Sequence, residues 1–521
     1  MSDTNQASAV DAELRQLTGF AEAAQKAGHH DAAIDALARI AVLKRTDPGA
    51  HGALGAALVA AGRYEEAINP FQWALKLGLN DAAGHFALGN ALKYAGRFDE
   101  ALKAYRNAVA LQPDAITIEG LGVALAEAGR TEDAVAEFRR ALAIDGNAIG
   151  AHFNLGIAFV TLERFAEAKA EFERCLALDP LYPDAAFNLG MIALAEGQAE
   201  NALAEFKRAT SFQQESRRRF DANDIIMPFR LLHEHQQAEY LAARGLLPPE
   251  RGPWRATLAE LWSRHKDRPR TEGIRLSKDE LERLGPSLHE VVYDGGSCPR
   301  LPAVLNPELD LAAIERSYRG SKPEIVVIDD LLAPEALAAL RKFCLEATVF
   351  KKSFTPGYLN SLLYDGFATP LVLQLTEEMR TRLPGIFAPH RLHLAWGIKY
   401  DSTLRGIPLH ADFAAVNVNF WITPDEANLD PETGGLVIWD KESPPDWPFT
   451  EYNIAGARVR NFLKDANAVR VPYRANRAVI FNSALFHETD AIDFRDTYED
   501  RRINITLLYG RKLRVSNDTG F

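Results

Sequence analysis

Six turn phrases, AGHHDAA, AGRYEEA, AGRFDEA, AGRTEDA, LERFAEA and EGQAENA, recur through the first part of the chain. Their turn positions are Gly28, Gly62, Gly96, Gly129, Glu163 and Gly197, at steps of 34, 34, 33, 34 and 34 residues. Between them run small-residue patterns of helical period, such as AHFNLGIAFVTL and AEAKAEFERCLALDP, two to a unit. A unit of this length holds one helix hairpin, which cannot bury its apolar face alone. Stacked neighbours share a core and leave a curved inner surface. Glycine gives the turn a permissive backbone, and alanine lets helices approach closely. The spacing predicts an all-α solenoid of about six hairpins, filling residues 1–213 as a first domain.

Period and pattern together resemble the tetratricopeptide repeat (TPR) over about residues 14–213. That resemblance implies a peptide or protein partner along the concave face. The residue before each Leu-Gly pair is Ala53, Ala87, Gly120, Asn154 and Asn188. Asparagine there is similar to the ladder by which some TPR enzymes hold an extended peptide, its amide offering both donor and acceptor. Asn154 and Asn188 are the candidate rungs, readable equally as polar residues at a helix interface. A His-x-Asp at His29 and Asp31 falls at a helix start. Residues i and i+2 on a helix point about 200° apart, so these are turn and capping residues, not a metal pair.

A chain of 521 residues calls for two or three domains. Its formal net charge of −12 speaks against a general nucleic-acid or anionic-membrane binder. MSDTNQASAVDAELRQL is polar and acidic, unlike a signal or transit peptide, and no run reaches the roughly 18 apolar residues of a bilayer span. The expectation is a cytoplasmic protein with neither membrane nor nucleic acid as partner. Cys175, Cys298 and Cys344 form no CxxC spacing and read as idle thiols. Residues 214–321 form a mixed, partly helical connection, with helices in WRATLAELWSRHKDR and SKDELERLG. Within it, RRR and HEHQQ read as solvated helix faces.

At KPEIVVIDDLLAPEALAALRKFC the texture changes. A strand over Glu324–Ile328 leads into an amphipathic helix. Strand candidates follow in RLHLAWGIKY, AAVNVNFWITP, GGLVIWD, AVRVPYR, RAVIFNS and RRINITLLYG. Short strands with Gly, Pro, Asp and Asn between them indicate an all-β sandwich or barrel after a helical lead-in, residues 322–521. On a strand, i and i+2 share a face, so His410 and Asp412 in LHADFAAVNVNFWITP can aim an imidazole and a carboxylate at one point. FNSALFHETDA supplies His487 downstream. Two histidines and one carboxylate are the facial triad of non-haem Fe(II) sites, with positions left open.

His-x-Asp, a distal histidine, then arginine on the last strand: this order resembles the Fe(II)- and 2-oxoglutarate-dependent dioxygenases. EIVVIDDLLAPEALAALRKF and GGLVIWD are similar to the prolyl-4-hydroxylase-like branch, over about residues 322–513. The resemblance implies a double-stranded β-helix (jelly roll) and iron held by His410, Asp412 and His487. It also implies a cation for the far carboxylate of 2-oxoglutarate, a role open to Arg501 and Arg502. Arg502 is preferred because it shares a strand face with Asn504 and Thr506, whereas Arg501 shares one with Ile503, Ile505 and Leu507. RRINITLL also resembles the Arg-x-Asn-x-Thr strand of nucleic-acid-demethylating members, which brings in Asn504. Tyr400 can donate to the same carboxylate, and reads equally as a core tyrosine. The insertion KESPPDWPFTEYNIAGARVRNFLKD, and arginines where prolyl hydroxylases usually place lysine, weigh against a proline substrate.

The implied activity is that of an oxidoreductase, consuming 2-oxoglutarate and O2 and hydroxylating a peptide or protein side chain captured with help of the repeats. Two alternatives stand beside it. One is a small-molecule oxygenase whose repeats dock partners or self-assemble; the other is a catalytically inactive scaffold.

Overall fold

The structure is a computed structural model and describes residues 2–220, 225–296, 298–355, 357–444, 447, 449–453 and 456–510. The side chains of Arg217–Arg219, parts of the insertion after GGLVIWD, and the end of the dioxygenase-like stretch at 511–513 lie outside the described residues. Among the described residues, twelve helices pair as six hairpins, from Ser2–Lys26 with His30–Leu43 to Pro183–Ala195 with Ala199–Phe220. The turn residues take the left-handed backbone that favours glycine. Gly28, Gly62, Gly96, Gly129 and Gly197 have φ of 72° to 78°, and Glu163 follows at 58°.

A second glycine sets the hairpin spacing. In each Leu-Gly pair the glycine of the first helix faces an aromatic ring of the second. A Cβ added at Gly55, Gly89, Gly122, Gly156 or Gly190 would lie 2.8, 3.1, 2.6, 2.7 and 2.7 Å from Phe71, Tyr105, Phe138, Phe172 and Phe206 respectively. Each ring is buried in the notch that the missing side chain leaves. Outside, arginines at the helix starts reach back one repeat, Arg63 to Asp31 (3.3 Å) and Arg97 to Glu65 (3.1 Å). These exposed pairs each contribute little. His29 is the N-cap residue of its helix, but its side chain makes no capping hydrogen bond.

The chain divides into two compact units with a boundary between Leu178 and Asp179. The sixth hairpin folds with the second unit: Phe187 meets Tyr364 edge-on at 4.8 Å, and Phe206 joins the core around Phe343 and Leu371. Next come the short strands β1 (Ile225–Ile226) and β2 (Ile274–Arg275), paired with each other. Around them lie helices Pro228–Ala243, Gly252–His265 and Lys278–Leu284, the last opened by a Ser277/Glu280 capping box. HEHQQ is not a solvated face. His233, Glu234 and Gln237 are buried where the helix packs on Pro334–Glu346, and Glu234 and Gln237 find partners although both ring nitrogens of His233 find none. Gln237 donates to the carbonyls of Leu345 and Ala347, and Glu234 pairs with Arg230 and Lys351.

Ten further strands follow: β3 (Ile325–Ile328), β4 (Lys352–Phe354), β5 (Tyr358–Leu362), β6 (Leu392–Tyr400), β7 (Val416–Trp421), β8 (Leu436–Glu442), β9 (Ala468–Val471), β10 (Ala478–Asn482), β11 (Leu485–Thr489) and β12 (Ile503–Tyr509). They build an antiparallel seven-stranded sheet, β3-β10-β7-β12-β6-β5-β4, and a three-stranded sheet, β11-β8-β9. One face of the larger sheet is apolar. Val326, Val418, Phe420, Ile480, Ile505 and Leu507 pack there on helices Pro334–Glu346 and Pro370–Arg382. The other face carries Asn417, Asn419, Asn504 and Thr506, brought side by side by the register Asn419↔Thr506. Cys175, Cys298 and Cys344 are free and buried. Among the described residues, no helix is long and apolar enough to cross a membrane.

Valine at Gly122 drives atoms into Phe138 and should cost about 1–3 kcal/mol. A lower midpoint in thermal unfolding by circular dichroism is expected, with little change for Gly19→Val, where a Cβ meets nothing within 4 Å. Lys399 gives a pH test. It lies 2% exposed over the Phe350 ring, and burial pulls its pKa from 10.5 to about 7. The unfolded chain therefore binds the proton more tightly, and this lysine's contribution to stability rises from about pH 7 towards pH 10. Lys399→Met should flatten that rise in urea unfolding at pH 7 and 9.

Candidate metal centre

His410 and His487 come together through an antiparallel bridge. The amide of His410 donates to the carbonyl of His487 at 2.9 Å, and the return bond is 2.7 Å. His487 sits on β11; His410 and Asp412 precede β7 and lie on no regular strand. The sequence placed them on one, and the difference has a local cause. The segment is extended but changes partner at every residue, Ala411 donating to Tyr452 and Asp412 to Ser483. Alternation survives without a ladder. Leu409 and Ala411 enter an apolar cluster with Trp447, Tyr452 and Phe486, leaving His410 and Asp412 to face the other way.

The ligating atoms of His410, Asp412 and His487 lie within 4.8 Å of one another. His410 Nε2 is 3.8 Å from Asp412 Oδ1, and His487 Nε2 is 3.6 Å from Asp412 Oδ2. In each ring Nδ1–H donates to a carbonyl two residues back, Pro408 at 2.7 Å and Leu485 at 3.0 Å. Anchoring Nδ1 leaves the Nε2 lone pair to a metal and fixes the ring plane. Burial and the neighbouring His410 push the His487 pKa well below its ordinary range, keeping the imidazole neutral. Burial raises that of Asp412 against the pull of His410 and of Asn417, which donates to Oδ2 at 2.7 Å.

These residues line a small, partly open cavity. Trp396, Ile407 and Leu436 give it apolar walls, and Tyr400, Thr489, Arg502, Asn504 and Thr506 polar ones. Arg502 is 1% exposed. Its Nε donates to the Gly434 carbonyl at 2.6 Å and Nη2 to Gly435 at 3.2 Å, while Nη1 has no partner. The guanidinium lies 4.4 Å over the Tyr400 ring, whose hydroxyl meets Thr489 at 3.4 Å. The Gly-Gly phrase thus serves Arg502 with carbonyls, and a Cβ at Gly435 would collide with the Val471 carbonyl of β9.

Of the two arginines, Arg502 lines the cavity. Arg501 points to the opposite side, donating to Gln236 at 2.7 Å. Asn504 lies in the cavity wall. In the repeats, Asn154 donates to Glu119 at 3.0 Å and Asn188 to the carbonyl of Asp184 at 2.8 Å, so each amide nitrogen already has a partner. The sequence reading passed over Asn417 and Asn419. The signal was present: asparagine at alternate positions of VNVNFW, a strand otherwise wholly apolar.

A tetratricopeptide repeat family model matches residues 18–83, 86–149 and 153–216. No curated protein matches the chain. Solved structures similar to part of it include MamA 41-end from Desulfovibrio magneticus RS-1, 24% identical, covering 32% of this chain and 96% of that one at a TM-score of 0.30. YrrB, described as a TPR protein with an unusual peptide-binding site, is 21% identical and covers 34% and 93% at 0.29. A thermophilic TPR protein of Thermus thermophilus is 24% identical and covers 32% and 90% at 0.28. The N-terminal part of this chain is a run of tetratricopeptide repeats.

Proposed function

We propose that this chain is an Fe(II)- and 2-oxoglutarate-dependent dioxygenase that hydroxylates a side chain of a peptide or protein held by the repeats, its C-terminal sheets forming a double-stranded β-helix. The observation that carries the reading is the clustering of His410, Asp412 and His487, with both Nε2 atoms turned inward, at the wall of a cavity. The donor set fits iron: two imidazoles and one carboxylate, a three-ligand set that leaves further coordination positions open. Arg502 fits the cosubstrate. A guanidinium buried this deeply with an orphaned Nη1 calls for an anion, and its fork suits a carboxylate.

When bound, iron with 2-oxoglutarate and O2 supplies the oxidising chemistry, yielding succinate, carbon dioxide and a hydroxylated substrate. The protein's own part is positional. His410 and His487 offer Nε2 at fixed ring angles, and Asp412 offers its carboxylate. Arg502 and the Tyr400 hydroxyl receive the far carboxylate of the cosubstrate. Trp396, Ile407 and Leu436 keep water from the site. Support for a peptide substrate comes from the sixth hairpin. Its helix Pro183–Ala195 bears Asn188, and its Phe187 packs on the same apolar cluster as Trp396, which lines the cavity.

Anaerobically purified protein given Fe(II), 2-oxoglutarate and O2 should form succinate, and Asp412→Ala should form none. A wild type that forms no succinate and binds no iron would sink the reading in favour of a scaffold. Arg502→Met should raise the KM for 2-oxoglutarate by about 30-fold or more, the cost of one lost buried charge partner, with Fe(II) affinity little changed.

A further inference from the structure

Asp412 is the first member of a buried hydrogen-bond chain. Asn417 Nδ2 donates to Asp412 Oδ2 at 2.7 Å, and Asn419 Nδ2 donates to Asn417 Oδ1 at 2.5 Å. Asn419 Oδ1 then accepts from Asn504 Nδ2 and from the Thr506 hydroxyl, both at 2.8 Å. Asn417, Asn419, Asn504 and Thr506 are 0%, 5%, 2% and 3% exposed. We propose that this amide chain is a positioning relay, which makes Asp412 a one-oxygen metal ligand and fixes that choice from the far wall of the cavity. The inference rests on the metal-site reading above.

The argument follows from donor and acceptor counts. A metal-binding carboxylate only accepts, so Asn417 must present its NH2 to it. The Asn417 oxygen then faces Asn419, which must answer with its own NH2. That leaves the Asn419 oxygen to be met by donors, and Asn504 and Thr506 provide them. No single amide can rotate by half a turn without setting oxygen against oxygen somewhere along the row. Asn417 is thus locked with its NH2 on Oδ2, and Oδ1 is left for the metal. A one-oxygen carboxylate keeps a coordination position that a two-oxygen grip would fill. Such outer partners orient ligands and tune affinity. Asn504 spends its nitrogen on Asn419 and on Thr506, at 2.9 Å, and its Oδ1 has no partner. As oriented it offers an anion no donor, which assigns it to the relay and leaves cosubstrate binding to Arg502 and Tyr400.

The test is a Co(II) titration of the full chain, following the visible absorption band and the Kd, with thermal unfolding as a check on folding. Asn417→Ala removes the contact to Asp412. Asn419→Asp is isosteric, does not touch Asp412, and replaces a donor by an acceptor in mid-chain. Both should weaken Co(II) by about 10-fold or more and alter the band in the same direction. A folded Asn419→Asp variant with wild-type affinity and spectrum would overturn the relay. Should that variant not fold, Thr506→Val, which removes one of the two donors to Asn419, takes its place. A smaller weakening with the same spectral change supports the proposal, and no change in either overturns it. A wild type that takes no Co(II) removes the metal reading itself, an outcome distinct from any variant's behaviour.

Discussion

Two backbone hydrogen bonds exchanged between His410 and His487 hold the candidate site in being. On its outer side β11 pairs with β8, His487 opposite Ile438. On its inner side it meets the His410 segment at His487 and again at Thr489, whose amide donates to the Ile407 carbonyl at 3.0 Å. Asp412 is tied to Ser483, at the turn between β10 and β11. The three side chains therefore converge because main-chain groups far apart in sequence are joined there. Their own mutual attraction is weak: two imidazoles and a carboxylate at 3.6 and 3.8 Å need a cation to satisfy them all.

The larger sheet divides its labour by face. Its apolar side is a core of ordinary construction, covered by helices. Its polar side is costly, since buried amides lose hydration and must be matched one to one. Matching is nearly complete along the row from Asp412 to Thr506. Among the groups left over, Nη1 of Arg502 and Oδ1 of Asn504 lie at the cavity. A wall satisfied everywhere except where a ligand would sit is preorganised, and reorganisation on binding is correspondingly small.

The repeats were legible because one glycine and one aromatic recur at fixed offsets, so that local pattern and packing state the same thing. Most strands of the C-terminal sheets were legible for a similar reason, in VNVNFW, LVIWDKE and INITLLY. The strands β1, β2, β4, β5 and β11 were not: β1 and β2 have two residues each, and KSF, YLNSL and LFHET lack the valines and isoleucines that mark the equally short β3, β9 and β10. For Arg501 and Arg502 the alternation of neighbours along β12 was informative, since each face of a strand keeps one environment. HEHQQ misled for the opposite reason. A charged or amide side chain reads as exposed until its partners are known, and those of Glu234 and Gln237 include Lys351, Leu345 and Ala347, more than a hundred residues downstream. The amide row was visible as letters, but its direction depends on cross-strand register, which no single strand contains.

The sixth hairpin carries a practical corollary. Phe206 belongs to the same core cluster as Phe343 and Leu371, and Phe187 lies against Tyr364. A fragment begun at residue 214, where the repeat pattern stops in the sequence, would be cut through its own interior, with the Tyr364 ring and the neighbouring apolar floor laid open to water. The natural place to excise the β-sheet part is at Asp179. There a whole hairpin travels with the sheets as their lining.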